Sequence, residues 1–417
     1  MRFGRKTVFL ILAAFVLLSE LGCGDQYRPV ANPVVSPGGQ PQSTHFAWVL
    51  NYNPSGDGST TEIDVSGDTN LAVNTMGVSS SSEAFPSNSL SLYVANQGDD
   101  TVNQYLPTLS GAITTISLLP GSHPVALTSA TNSFMYVLNA GSNSACPTTG
   151  SISSISTATL SVTNTTCVGP NPIAMVQAPK NGYIYVINQG DNSVSVFNPS
   201  AVTIVGTLTT QLGLGLNPVA LAVNAQGWIF IVTQGDGVTP GTLDLVPTGY
   251  FYIAGTTPLG VLPTHAVIDP NRNRLYVTNS GDNTVSVFDA SSITQQGTPP
   301  LPLLATVPVG TQPISVTALL DGTNFYVANA GSDNVTVVSQ SSFTPLATVA
   351  LPSGANPVWI AADPTSQKVY VAEAGTAETT IIQTSNNTIT QSISAPAQVS
   401  GCTSSCALQT PVMILSQ

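Results

Sequence analysis

The sequence predicts an all-β fold, a β-propeller of four-stranded antiparallel blades, and three observations carry that prediction. A phrase of aromatic-Val-x-Asn-x-Gly type recurs along the chain at a mean spacing of about 46 residues, within the range of propeller repeats. The same kinds of short apolar segment surround each copy, separated by Gly, Asn and Asp turn residues. The 417 residues are 42% hydrophobic but only 7% charged, so the chain has a core to bury and a surface built from Ser, Thr, Asn, Gln and Gly.

Each unit reads as four strands, A to D. Strand A opens on proline, as in Pro124-Val125-Ala126-Leu127, Pro172-Ile173-Ala174-Met175, Pro218-Val219-Ala220-Leu221 and Pro357-Val358-Trp359-Ile360. Proline suits the first residue of a strand, where its missing N–H costs least. Strand B carries the phrase, best seen in Leu92-Tyr93-Val94-Ala95-Asn96-Gln97-Gly98-Asp99 and Ile184-Tyr185-Val186-Ile187-Asn188-Gln189-Gly190-Asp191. Strand C alternates with period two, as in Ser193-Val194-Ser195-Val196-Phe197, and strand D closes the unit, as in Leu304-Ala305-Thr306-Val307-Pro308.

The B-strand anchors fall at positions 48, 93, 136, 185, 230, 276, 326 and 370. An open ring would leave sheet edges exposed, so the ends must meet. Phe46 to Asn51 is a strand B without a strand A before it, and Thr410 to Leu415 is a Pro-led strand A without a strand B after it. We expect these to pair and complete one blade. With a degenerate strand A near Glu83-Ala84-Phe85, that gives eight blades. The alternative is seven, with the unit around Phe230 absorbed as an excursion because Gly235 to Gly241 distorts its B–C turn.

These residues resemble the YVTN-repeat β-propeller family, whose signature stands here as Tyr276-Val277-Thr278-Asn279. The resemblance covers roughly residues 45–417. It implies a fold rather than an activity, since that family includes surface-layer-like and periplasmic proteins and is similar to lactonase-type and haem-binding propellers.

The N-terminal residues read as a targeting segment. Arg2, Arg5 and Lys6 precede an eleven-residue apolar run, Val8 to Leu18, which is too short to span a bilayer. Leu21-Gly22-Cys23 resembles the lipobox of bacterial lipoproteins, departing from it at Glu20, so Cys23 is the expected lipidation site after a signal peptide over 1–22. Residues 23–44 hold Pro29, Pro33, Pro37 and Pro41 and read as a tether, leaving 45–417 as the propeller. The chain is thus expected to be exported and lipid-anchored in the bacterial cell envelope, meeting the membrane only through that lipid. The formal net charge of −12 moves to −14 once Arg2, Arg5, Lys6 and Glu20 are removed, which argues against nucleic acid as partner.

In the folded part, Lys180, Arg272, Arg274 and Lys368 are read as lying in A–B turns, whereas Asp57, Asp99, Asp100, Asp191, Asp236, Asp282, Asp333, Glu373 and Glu378 are read as lying in B–C connections. Those turns emerge on opposite faces, so one face should be acidic and the other mildly basic. The Asn and Asp of the B–C turns are expected to bond nearby backbone and the Gly to supply positive φ. Export permits disulfides, and Cys146–Cys167 and Cys402–Cys406 are the expected pairs. His123 and His265 lie near the starts of two A strands, where either could approach the central channel.

No His-Glu-x-x-His, Gly-x-Ser-x-Gly or phosphate loop occurs, and Cys402 and Cys406 lack the spacing of haem attachment. No catalytic, metal or cofactor residue is nominated, and no cofactor is expected. The expected function is a monomeric, non-catalytic binding or scaffold protein for an envelope, glycan or protein ligand. The alternative is a lactonase-like hydrolase with a site in the channel.

Overall fold

The computed structural model describes residues 46–396 and 409–416, apart from 55, 66, 85–90, 107–111, 132, 292 and 294–299. Cys23, the expected signal and tether, Cys402 and Cys406 lie outside the described residues.

Eight four-stranded antiparallel sheets form a closed ring. Blade 1 is the composite one. Its strands B, C and D are Phe46–Tyr52, Asp57–Asp64 and Thr69–Val78, and its inner strand is Thr410–Ser416 from the far end of the chain. Trp48 pairs with Leu415 and Leu50 with Met413, so the two orphan strands join as expected. Blades 2 to 8 take their strands in chain order. Their inner strands are Ser80–Ala84, Pro124–Thr131, Pro172–Gln177, Pro218–Val223, Pro263–Asp269, Pro313–Ala318 and Pro357–Ala362. Blade 2 has no leading proline, and its inner strand contains the expected Glu83-Ala84 but starts three residues before Glu83, at Ser80. The unit around Phe230 is a complete blade, with Trp228–Thr233, Pro240–Pro247 and Gly255–Val261 beside its inner strand. The seven-bladed alternative is therefore excluded.

The repeated aromatic explains the ring. Tyr93, Tyr185, Tyr276, Tyr326 and Tyr370 are among the largest fully buried side chains. Each lies at a junction between two sheets, and eight apolar clusters fill the eight junctions. Burying an aromatic of this size contributes roughly 2–3 kcal/mol.

The basic turn residues do not form a free face, because three of the four are spent as ties. Arg274 donates to the Gln340 carbonyl at 2.6 Å and lies 5.0 Å from the centroid of the Phe343 ring. Arg272 sits 3.5 Å from Asp269 and donates to the Asp321 carbonyl at 3.1 Å. Lys368, the buried first residue of strand B in blade 8, forms an ion pair with Asp68 in the C–D turn of blade 1. Thr390 adds a hydrogen bond to Asp68 at 3.1 Å, so polar contacts clasp the last blade to the first.

The junction between blades 1 and 2 holds two buried acids beside its apolar cluster. Glu83, on the inner strand of blade 2, is 1% exposed, and burial pushes its carboxyl well above the usual carboxylate range against the Leu415 backbone. Glu62, on strand C of blade 1, is pushed up to about 7 by burial. Its charge acts on Tyr105 of blade 2. Both acids are thus favoured neutral in the fold and ionised in the unfolded chain at intermediate pH.

Three predictions follow from this architecture. Deleting 409–417 removes the inner strand of blade 1 and should abolish cooperative thermal unfolding, read by circular dichroism. Asp68→Ala leaves the Lys368 ammonium buried alone and should cost about 3 kcal/mol or more in urea unfolding. Because the folded pKa of Glu62 is raised, its contribution is present below the unfolded value near 4.5 and is lost as pH rises toward about 7. Glu62→Gln should flatten the decline of melting temperature across that window, and an unchanged slope would refute the assignment.

Candidate ligand-binding site at the mouth of the ring

The B–C turns and the D–A links share one face, and the turn residues build it. In blades 2 to 8 the two residues after strand B donate their N–H groups to the link that leads into the same blade. Gln97 and Gly98 bond the carbonyls of Ser79 and Val78 at 3.0 and 2.9 Å, and Ala374 and Gly375 bond those of Asn356 and Ala355 at 3.2 and 2.9 Å. This close approach explains the glycine. A Cβ on Gly375 would stand 1.8 Å from the Gly354 carbonyl oxygen, and one on Gly141 would stand 2.1 Å from that of Gly121. Neither Gly has positive φ; of the equivalent glycines only Gly235 of blade 5 does, so the sequence expectation holds in that blade alone. The positive φ falls instead at the end of the turn, at Asp100, Asn192, Asn283, Asp333 and Ala377.

Those same residues reach forward to the next blade. Asp100 accepts from the N–H groups of Gly121 and His123, both at 2.7 Å, and Asp333 from those of Gly354 and Asn356 at 2.7 and 2.8 Å. Asn283 accepts from Gln312 N–H at 2.9 Å. Asp282 accepts from Val261 N–H at 2.6 Å, and Asp99 from Val78 N–H at 3.1 Å. Asp99, Asp100, Asp282 and Asp333 are thus acceptors for backbone N–H groups, dispersed from blade to blade, whereas Asp191 accepts from the Ser193 hydroxyl. Among the described residues no group of three or more His, Cys, Asp or Glu is placed to hold a metal ion.

The Asn that ends strand B does something the sequence did not suggest. Asn51, Asn96, Asn139, Asn188, Asn279 and Asn329 are buried, and their Nδ2 atoms bond side-chain oxygens on strand C, with longer bonds to nearby backbone carbonyls at Asn51 and Asn329. Asn188 bonds Ser193 and Ser195 at 3.0 and 2.9 Å, and Asn279 bonds Thr284 and Ser286 at 3.1 and 2.9 Å. Blade 8 substitutes Glu373, which accepts from Thr376 and Thr380, and burial raises its carboxyl.

Within this face lies a cavity of about 700 Å³ over blades 6, 7 and 8. Leu262, Gln312 and Asn356 line it. Each immediately precedes the proline of an inner strand, and each has positive φ, near +50°. This conformation turns the residue before the strand into the mouth, and it is held by the N–H groups described above. Thr264, Ser280, Asn283 and Thr311 add hydroxyl and amide groups. The Gln312 and Asn356 side chains bond no other described residue, and Asn283 has only its oxygen engaged, so amide donors and acceptors are available to a ligand. Sequence reading missed these residues. The signal was the residue before each repeated proline, in His123, Asn171, Asn217, Leu262, Gln312 and Asn356.

The two histidines are not brought together. His123 is exposed, with Nδ1 3.1 Å from the Gln97 carbonyl and 3.9 Å from Asp100. His265 follows Thr264 down the inner strand of blade 6. Its Nδ1 accepts from Val316 N–H at 3.4 Å, and its ring meets Trp359 edge-on at 5.4 Å. Trp359 belongs to the inner strand of blade 8, two blades away, so the contact is made across the channel wall. Burial holds His265 down to about 4, so it is neutral at physiological pH. Cys146 and Cys167 form a disulfide with a Cα separation of 5.5 Å, joining the enlarged B–C connection of blade 3 to the end of its strand D.

No family model and no curated protein matches the chain. Solved structures do share the fold. Dihydro-heme d1 dehydrogenase NirN, in complex with DHE, aligns with a TM-score of 0.67 and 12% identity over 94% of this chain and 79% of that one. Apo AztD from Citrobacter koseri aligns at 0.58 and 12% over 89% and 98%. Hydrazine synthase from Kuenenia stuttgartiensis aligns at 0.52 and 20% over 67% and 89%. These likenesses define the class, an eight-bladed β-propeller, and their diversity at low identity leaves function to the site.

The backbone N–H groups around Asp333 hold its carboxyl below the usual carboxylate range. Its contribution to stability is therefore present above the unfolded value of 3.8 and lost as pH falls through the folded value. Asp333→Ala should be less stable than the parent at neutral pH and lose less melting temperature on acidification below about 4.

Proposed function

We propose that this protein is an exported, envelope-tethered, monomeric binding propeller. Its mouth cavity takes a neutral polar ligand of the oligosaccharide kind. The observation that carries the reading is the lining. A cavity of about 700 Å³ is bounded by amides, hydroxyls and a few apolar side chains, with no carboxylate, imidazole, thiol or amine among its lining residues. Such a wall offers hydrogen bonds in both directions and apolar contact, which suits a ligand with many hydroxyls. It offers no base to activate a hydroxyl nucleophile, so it supports binding over the hydrolase reading. The disulfide in blade 3 fits an oxidising compartment, and the apolar run before Cys23 fits export.

Two experiments test this reading. Thermal shift against neutral oligosaccharides and lactones should show stabilisation by the former, weakened about tenfold in affinity by Gln312→Ala with Asn356→Ala. Lactone turnover lost in that double variant would favour the hydrolase instead. Cys23→Ser should move the protein from the membrane fraction to the soluble one, and a variant that stays membrane-bound would overturn the lipid anchor.

A further inference from the structure

We propose that the face opposite the mouth carries a second binding site, centred on Lys180 and Tyr250, for a carboxylate-bearing sugar unit of the uronic acid type. A cavity of about 220 Å³ opens there between A–B and C–D turns of blades 4, 5 and 6. That volume suits one sugar ring rather than a chain. Lys180, Gln226, Thr248 and Tyr250 are the polar side chains of its lining.

Each of these has chemistry left over. Arg272, Arg274 and Lys368 are committed to neighbouring blades, whereas Lys180 is exposed and makes no hydrogen bond or ion pair with the described residues. In a chain of net charge −12, its ammonium is a local exception in a cavity whose lining has no carboxylate. The Thr248 Oγ1 is buried without a hydrogen-bond partner, although a buried hydroxyl normally has one. Tyr250 and Tyr252 are 53% and 45% exposed, with ring centroids 5.6 Å apart at 71°. An exposed tyrosine ring is a platform for the C–H face of a sugar, as it is for other amphipathic groups.

The site is also held in place. Phe251, between the two tyrosines, packs so closely on Gly206 that a Cβ there would stand 2.4 Å from its ring. Thr248 N–H bonds the Gly227 carbonyl at 3.0 Å, and Gly227 N–H bonds that of Asn224 at 2.9 Å. The absence of a side chain on Gly227 leaves room for both the Lys180 stem and the Thr248 hydroxyl, which would stand 2.9 and 2.7 Å from a Cβ. In the assignment that follows, Lys180 takes the carboxylate, Tyr250 the ring face, and Thr248 and Gln226 the hydroxyls.

The test is calorimetric titration of the purified protein with oligogalacturonate, with the corresponding neutral oligogalactoside, and with acetate. We expect oligogalacturonate to bind more tightly than the neutral oligomer or acetate by about tenfold or more, and to weaken as salt is raised. Lys180→Met and Tyr250→Ala should each weaken it by about tenfold. Tyr250→Phe should leave it nearly intact, since the ring face is what the sugar meets. The Gln312→Ala, Asn356→Ala protein should bind it normally, which separates this site from the mouth cavity. Equal binding of the neutral oligomer, equal binding of acetate, no binding of oligogalacturonate, or full affinity in Lys180→Met would each overturn the proposal. Melting curves confirm that the variants are folded.

Discussion

The structure depends on how each D–A link is gripped from two sides. From its own blade it receives the N–H pair of the x-Gly dipeptide, and in several blades it also receives an Asp or Asn oxygen from the blade before. The first grip places the inner strand within its sheet. The second ties it to the neighbouring sheet through a side-chain oxygen of that sheet and a backbone N–H of the link. Side chains on the mouth are then free to vary without moving the blades, which is how Leu262, Gln312 and Asn356 can occupy equivalent positions with unlike chemistry. Blade 1 cannot use the same device at its own inner strand, because that strand arrives from the other end of the sequence. There Gln409 bonds Ser59 and the Asp57 carbonyl, and Lys368 with Asp68 ties the adjoining blade.

Most of the fold was legible because its information is periodic. Tyr, Val, Asn and Gly at one spacing give the strands, their order and the blade number, and complementary orphan strands at the ends give the closure. What stayed hidden depends on contacts between units. That glycine answers to an oncoming carbonyl rather than to its own φ is visible only when the link is in place. That Arg272, Arg274 and Lys368 are ties rather than a charged face depends on partners some fifty to three hundred residues away. The mouth cavity was hidden for the same reason, since Leu262, Gln312 and Asn356 meet only when blades 6, 7 and 8 pack side by side. Their shared position before a proline was in the sequence, but its meaning was not, because positive φ is an unusual conformation for such residues.

The scarcity of charge has a structural counterpart. With 7% charged residues, the chain uses many of them inward or against its own backbone. Asp100 and Asp333 cap links, Asp244 accepts from Gly215 N–H at 2.7 Å in the blade where Thr233 replaces the usual Asn, and Glu62 and Glu83 sit in a junction. Little is left over to colour the surface electrostatically. A single unengaged ammonium or a cluster of amides then stands out against a quiet background, and recognition rests on hydrogen bonds and shape more than on long-range steering. The propellers that share this architecture carry unlike names on it, as expected where the ring is a frame and the loops carry the chemistry.

The pairing of Ala47 with Ser416 brings the first and last described strands to the same edge of the same sheet. Strand B runs from the A–B side to the B–C side, and the inner strand runs the reverse way. Phe46 and Ser416 therefore both sit on the A–B side. Both ends of the described propeller thus leave from one side of the ring. Anything joined to either end of the propeller, whether a leash to a surface, a partner domain or an affinity handle, grips it from beneath. The cavity over blades 6 to 8 opens on the opposite side of the ring.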